Sequence, residues 1–163
     1  GVIKATYMSS VGARRLPTLM EEPLATQIRQ DAHEYGATTR RPRDIAYLDM
    51  PALKYLARVG RVTELILTHM DISYPDVPVK ICTAYKQGNK IVGYRPDQAF
   101  LDTVTPVYTE LESWDATRLM KAKKPSDMPK EAKIFLKFLS KEIGLPISMI
   151  TTGPQRKQCL RLK

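Results

Sequence analysis

Residues 35–44, with the sequence YGATTRRPRD, combine two adjacent hydroxyls with three guanidinium groups within the length of one loop. These groups belong to Thr38, Thr39, Arg40, Arg41 and Arg43. Arginine offers a planar, permanently charged fork of donors that binds carboxylate or phosphate oxygens in pairs. Pro42 fixes its own φ and favours an extended residue before it, so this stretch is predicted to be a non-helical loop. The pattern predicts a small-molecule anion site; solvated arginines and contacts with nucleic-acid phosphates are the alternatives.

A second candidate site follows two predicted strands. Residues 62–68 form a β-rich apolar run that ends in His69, Met70 and Asp71, and residues 147–150 form another that ends in Thr151, Thr152 and Gly153. Open α/β sheets place ligands at the carboxyl ends of their strands, so the two ends converge if the strands are neighbours. A carboxylate there can accept from the N1–H and the amino group of guanine. The alternative is that Asp71 only caps a turn with Ser73.

The remaining elements alternate between helix and strand, which predicts an α/β protein. Residues 2–8 are predicted to form one strand, and a helix is predicted to begin near Pro23, run to Tyr35 and end at Gly36. Val79–Tyr85 and Lys90–Tyr94 flank a Gly-Asn pair and predict a hairpin, and residues 106–111 predict another strand. Residues 127–143 predict the strongest helix, which Gly144 ends.

Composition and charge restrict the function further. The chain has 163 residues, a length that suits one domain, and 26 Lys and Arg against 17 Asp and Glu give a net charge of +9, which favours anionic partners. Aromatic residues are few and do not alternate with the basic clusters, which disfavours a nucleic-acid-binding domain. The basic clusters include Arg14-Arg15 and residues 156–163. Two separated cysteines, no signal peptide and no membrane-spanning apolar run predict an intracellular, cytoplasmic protein with no membrane partner.

Several of these motifs, in the same order and at similar spacing, resemble the C-terminal half of adenylosuccinate synthetase. The motifs are GATTRRPR (36–43), TELILTHMD (63–71), VKICTAY (79–85) and TGP (152–154), with supporting matches at 1–5, 11–13 and 106–108 before Trp114. The resemblance implies the C-terminal portion of a P-loop-NTPase-like synthetase fold, a mixed, mainly parallel sheet flanked by helices. It also implies a ligase of AMP synthesis that joins IMP to L-aspartate through a 6-phosphoryl intermediate. GTP and Mg²⁺ are the implied cofactors, and a homodimer is implied for the full-length protein.

The resemblance implies a role for each matching residue. The aspartate and IMP site would consist of Val11, Ala37, Thr38, Thr39, Arg40, Arg41, Pro42 and Arg43. The GTP site would consist of Arg43, His69, Met70, Asp71, Thr151, Thr152 and Gly153. Within these sets, Arg41 is also expected to reach the IMP ribose, and Asp71 is expected to be the acceptor that recognises guanine. No catalytic residue and no metal ligand is predicted in the segment.

Some positions depart from the family pattern, which usually has glycine where Arg40 stands and lysine where His69 stands. The GPFPTE run of the family keeps only Pro17-Thr18. These departures indicate a divergent member, archaeal- or phage-like, with another purine substrate or ATP as the alternative specificity.

The Gly-rich phosphate loop and the Mg²⁺ ligands belong to an N-terminal half that this chain lacks, so the 163 residues are predicted to be inactive alone. A stand-alone module that binds a nucleotide or an acidic ligand is the rival function.

Overall fold

The structure is a computed structural model that describes residues 1–12 and 16–162. Its strands are β1 (Val2–Lys4), β2 (Tyr7–Ser10), β3 (Asp44–Asp49), β4 (Leu65–Thr68), β5 (Val79–Gln87), β6 (Lys90–Val92), β7 (Thr105–Leu111), β8 (Ile147–Thr151) and β9 (Cys159–Arg161). Its α-helices are α1 (Leu24–Asp31), α2 (Met50–Val59), α3 (Gln98–Leu101), α4 (Ala116–Lys121) and α5 (Lys130–Ile143). The predicted α/β class is confirmed. The predicted basic connection at Arg14 and Arg15 and the match at Ala13 lie outside the described residues.

The chain divides into two compact units. The first unit contains Gly1–Thr6, Leu53–Val79 and the chain from Glu110 onward, and the second contains Tyr7–Ala52 and Lys80–Thr109. Each unit has its own sheet and its own buried apolar residues.

The first unit is built on a four-stranded sheet in the order β1-β4-β8-β9. β4 pairs in parallel with β1 on one side and with β8 on the other, and β9 is antiparallel to β8. Leu67 and Ile150 lie opposite each other in the β4–β8 register and are both fully buried. α5 buries Ala132, Phe135, Leu136 and Leu139 along one stripe, and it ends, as predicted, at Gly144 with φ 76°. This positive φ is easily reached by glycine, which therefore caps the helix.

The second unit contains a sheet in the order β2-β3-β5-β6, with β7 also paired to β5. β5 and β6 form the predicted hairpin around Gly88 at φ 58°. β3 was not predicted, although it lies between antiparallel β2 and parallel β5. Asp49 ends β3, and its Oδ1 accepts a hydrogen bond from the Ala52 amide at 3.0 Å at the start of α2.

Two predictions of element bounds were wrong. The predicted single strand at residues 2–8 is two strands in different sheets, because the chain turns at Ala5-Thr6 and Thr6 Oγ1 donates to the Ile72 carbonyl at 2.9 Å. The helix predicted to reach Tyr35 ends at Asp31, because Tyr35 instead pairs with Pro42 in an isolated β-bridge. Gly36 is therefore not a helix cap.

Candidate functional site

The loop predicted to bind an anion (residues 36–43, termed the anion-binding loop) lies in the second unit and is closed by its own backbone. The Gly36 amide donates to the Arg41 carbonyl at 2.8 Å, and the Arg40 amide donates to the Gly36 carbonyl at 3.0 Å. The stem continues through the Tyr35–Pro42 bridge and the Arg43 amide, which donates to the Glu34 carbonyl at 3.0 Å. Residues 37–42 are exposed. The loop therefore presents its hydroxyl and guanidinium groups to solvent on a hydrogen-bonded backbone.

Two positions set the shape of this loop. Arg40 has φ 55°, a left-handed conformation that costs a non-glycine residue roughly 1–2 kcal/mol. Gly36 permits a close approach, because a Cβ atom there would lie 3.0 Å from Thr39 Oγ1 and that hydroxyl would have to shift. Thr39 Oγ1 in turn accepts a long hydrogen bond of 3.5 Å from the Arg41 amide. Arg40 thus adopts the backbone conformation that glycine favours, and the turn forms with a side chain at that position.

The stem of the loop is tied to its surroundings by side chains. Arg43 Nη1 lies 2.9 Å from Glu34 Oε2 in an ion pair, and Arg29 Nε donates to the Arg43 carbonyl at 2.9 Å. Ser10 lies opposite Asp44 in the antiparallel β2–β3 register, so Val11 leaves the sheet at the end where Arg43 enters it. The structure therefore brings Val11 to the stem of the predicted aspartate site.

The base-reading site (His69–Asp71 and Thr151–Gly153) lies in the first unit, where β4 and β8 are adjacent and parallel, as the convergence of the two strand ends requires. The His69 amide donates to Thr151 Oγ1 at 3.3 Å, and the Met70 amide donates to the Thr151 carbonyl at 3.1 Å. His69 has φ 58°, so the chain turns sharply after the strand. The two segments that were predicted from separate parts of the sequence thus meet through their backbones.

The Asp71 side chain is half-buried, and within residues 1–12 and 16–162 its carboxylate has no hydrogen-bonding partner. The alternative that Asp71 caps a turn with Ser73 is wrong, because the Ser73 hydroxyl exchanges hydrogen bonds with the backbone of Trp114 at 2.9 and 3.1 Å. The carboxylate therefore keeps its acceptor capacity for a ligand. Met70 is fully buried, so its side chain packs in the core.

The second half of the base-reading site depends on a close turn. Thr152 is 1% exposed, and its amide donates to the Gln158 carbonyl at 2.8 Å. A Cβ atom on Gly153 would lie 2.5 Å from Gln158 Oε1, so a larger residue at this position would require the glutamine side chain to move. Gln158 Oε1 accepts from the Gln155 amide at 2.8 Å, which holds that side chain in place.

Sequence reasoning missed Trp114 as a support for the base-reading site. Its indole Nε1 donates to the Met70 carbonyl at 2.8 Å, and its ring packs on Phe135 with centroids 4.9 Å apart. Trp114 is 2% exposed and is the single tryptophan of the chain. The available signal was a single tryptophan shortly after a predicted strand. Nothing in the sequence pointed to its partner, the carbonyl of Met70, which lies 44 residues earlier.

A separate set of titratable groups is buried in the second unit. The Tyr85 hydroxyl donates to the Asp49 carboxylate, and burial raises the pKa of both groups. Burial, together with the nearby Asp49 charge, raises the pKa of the Cys82 thiol to about 12. Cys82 is therefore a thiol at neutral pH and not a ready nucleophile. This cluster belongs to the packed interior of the unit.

The described part of the chain limits two other possibilities. Across residues 1–12 and 16–162, no three His, Cys, Asp or Glu side chains are grouped closely enough to hold a metal ion. In the same residues no helix has the length and apolarity needed to cross a bilayer.

Comparison with known proteins agrees with these features. The family profile of adenylosuccinate synthetase matches residues 1–160. The chain is 35% identical over 162 residues to the adenylosuccinate synthetase of Halothermothrix orenii, covering 99% of this chain and 37% of that protein. It is 38% identical over 164 residues to the enzyme of Lactobacillus helveticus, covering 100% of this chain and 38% of that protein. The chain thus spans somewhat over a third of the length of these relatives.

A solved structure supports the same assignment. The fully ligated adenylosuccinate synthetase from Plasmodium falciparum superposes with a TM-score of 0.90 at 25% identity, covering 99% of this chain and 39% of that one. The family match across nearly every residue, together with relatives above 30% identity, shows that this chain belongs to the adenylosuccinate synthetase family.

Proposed function

We propose that this chain provides the aspartate-binding loop and the guanine-binding site of a ligase that joins IMP to L-aspartate, with GTP hydrolysed to GDP and phosphate. Family membership supports the reaction class. The observation that carries the proposal is the junction of His69–Asp71 with Thr151–Gly153, where no group of residues 1–12 or 16–162 donates to the Asp71 carboxylate. A cytoplasmic homodimer is part of the same proposal.

The chemistry of Asp71 favours guanine over adenine. An ionised carboxylate is only an acceptor, and guanine offers it two parallel donors, N1–H and the exocyclic amine. Adenine has no hydrogen on N1 and cannot make this pair. Hydrogen bonds to a charged group contribute about 1.5–3 kcal/mol each, so the pair discriminates between the two bases by about 100-fold or more.

The anion-binding loop suits the other substrate. L-Aspartate carries two carboxylates, and the exposed Thr38, Thr39 and Arg41 side chains are donors that match them. Holding both carboxylates fixes the direction of the amine that attacks C6 of IMP. The contribution of the loop is therefore positioning and charge neutralisation, and it needs no proton transfer from these residues.

No Mg²⁺ ligand is assigned to the described residues. The described residues offer no group of three His, Cys, Asp or Glu from which a metal site could be made. Accordingly, no step of the reaction is assigned to a metal held here. Phosphoryl transfer is proposed to need residues beyond these 163, so the isolated chain is expected to make no adenylosuccinate.

The decisive experiment exchanges the base specificity. Asp71→Asn replaces one acceptor by a donor, and the resulting amide complements xanthine, which has N1–H and a C2 carbonyl. Protein expressed from its complete open reading frame is titrated calorimetrically with GDP, XDP and ADP. The wild type should prefer GDP, and D71N should lose about 100-fold in GDP affinity while gaining affinity for XDP. Asp76→Asn is the matched control, since Asp76 is an exposed aspartate of the same unit.

The outcomes separate the rival functions. Equal affinity of the wild type for GDP and ADP, or GDP binding by D71N that equals that of D76N, would overturn the guanine assignment. Chromatographic detection of adenylosuccinate, with dependence on L-aspartate and IMP, tests the ligase assignment in the same preparation. GDP binding without product would instead favour a binding module that has no catalysis.

A further inference from the structure

Glu34 is a buried carboxylate at the base of the anion-binding loop. Its residue is 2% exposed, and its carboxylate accepts hydrogen bonds from the side chains of Tyr7, Ser9 and Arg43. Tyr7 Oη donates to Oε1 at 2.7 Å, while Ser9 Oγ and Arg43 Nη1 donate to Oε2 at 3.1 and 2.9 Å. The backbone of Glu34 is fixed as well, because its amide donates to the Arg29 carbonyl at 2.9 Å and its carbonyl accepts from the Arg43 amide at 3.0 Å.

These contacts join both sides of the predicted aspartate site to one residue. Tyr7 and Ser9 lie on β2, which leads to Val11, while Arg43 closes the loop and leads into β3. Burying a carboxylate is costly unless it is paired and hydrogen-bonded, so Glu34 strongly favours one position of the Arg43 guanidinium. The Arg43 side chain is 36% exposed, and its Nη1 points towards the buried carboxylate of Glu34.

We infer that Glu34 is a positioning residue for the aspartate site: through Arg43 and the loop stem, it fixes the direction in which Thr38, Thr39 and Arg41 meet the amino-acid substrate. This inference rests on the function proposed above for the loop. Glu34 is too deeply buried to bind substrate itself. Its effect is on the geometry of the donors that do, and errors of about 1 Å in such a site cost about 100-fold in rate.

The test is steady-state kinetics of protein expressed from its complete open reading frame. Glu34→Gln keeps the shape of the side chain and an acceptor oxygen but removes the charge that holds Arg43. We expect kcat/KM for L-aspartate to fall by about 10- to 100-fold, mainly through KM. A residue that only stabilises the fold would lower Tm and leave the KM of the folded enzyme unchanged.

Glu22→Gln is the matched control. Glu22 also pairs with an arginine of the second unit, Arg29, at 3.4 Å, but its side chain is 60% exposed and does not contact Arg43. E22Q should leave the KM for L-aspartate unchanged. A double-mutant cycle of E34Q with Arg43→Gln tests the route: if Glu34 acts through Arg43, the double variant should be little worse than R43Q alone.

A second readout does not depend on activity. Hydrogen exchange of the Arg40, Arg41 and Arg43 amides should accelerate in E34Q and stay unchanged in E22Q, because the stem loses its charged anchor. Unchanged exchange together with an unchanged KM for L-aspartate in E34Q would overturn the inference while leaving the ligase function intact. Absence of aspartate-dependent product in the wild type would instead refute the proposed function, and hydrogen exchange would then decide the role of Glu34 in the loop.

Discussion

Replacing Trp114 by phenylalanine should destabilise the first unit and weaken binding at the base-reading site. The substitution removes the indole N–H that bonds to the Met70 carbonyl at 2.8 Å. Met70 is fully buried, so water does not replace this donor, and an unsatisfied buried carbonyl costs about 1–3 kcal/mol. The smaller ring also leaves space beside Phe135, at about 0.8 kcal/mol for each buried carbon that is lost. The expected loss is about 3–5 kcal/mol.

Urea unfolding followed by far-ultraviolet circular dichroism is the suitable assay, since the substitution removes the only tryptophan. Phe135→Leu is the control, because it loosens the same aromatic contact but leaves the Met70 carbonyl bonded. F135L should cost about 1–2 kcal/mol and leave GDP affinity unchanged, whereas W114F should lower GDP affinity about tenfold by releasing the segment that carries Asp71. A loss below about 1 kcal/mol in W114F, or equal GDP affinity in the two variants, would refute this reasoning.

Three further predictions concern single groups. Arg40→Gly should raise the free energy of unfolding by about 0.5–1 kcal/mol, because glycine accepts φ 55°, whereas the control Arg41→Gly should lower it by a similar amount; urea midpoints decide the sign. Burial raises the pKa of Asp49 above its ordinary value of 3.8, so the folded protein takes up this proton before the unfolded chain does. The wild type should therefore gain stability relative to Asp49→Asn as the pH falls through the folded pKa, and a difference that stays constant from neutral pH down to the ordinary value of 3.8 would contradict this. Buried Cys82, with its pKa near 12, should resist a thiol reagent that labels exposed Cys159 at once, and equal labelling rates in native protein would contradict that.

The local signals of the sequence were sufficient to place most of the base-reading site. Apolar runs predicted β4 and β8, and the rule that parallel strands share a carboxyl edge predicted that their ends converge. The hairpin at Gly88 and the helix end at Gly144 were predicted because both turns need a positive φ, which glycine adopts more readily than other residues. In each case the cause of the structure lies within a few residues.

Features with distant causes could not be predicted in this way. Residues 2–8 have continuous strand propensity, and the break appears only because Thr6 bonds to the carbonyl of Ile72, 66 residues later. Glu34 follows a helix and would be expected to be exposed, yet Tyr7, 27 residues earlier, and Arg43, nine later, stabilise its burial. The anion-binding loop was thus predicted from its side chains, while the residue that supports it was missed.

Two of the departures from the expected family sequence, Arg40 and His69, occur at positions of positive φ. Arg40 has φ 55° and His69 has φ 58°. In each case the neighbouring backbone is held by hydrogen bonds, from the Arg40 amide to the Gly36 carbonyl and from the His69 amide to Thr151 Oγ1. These hydrogen bonds hold each turn at a positive φ, so the Arg40 guanidinium and the His69 imidazole both extend from a hydrogen-bonded backbone. We therefore expect Arg40 and His69 to act on substrate and nucleotide preference through the charge and the donors of their side chains.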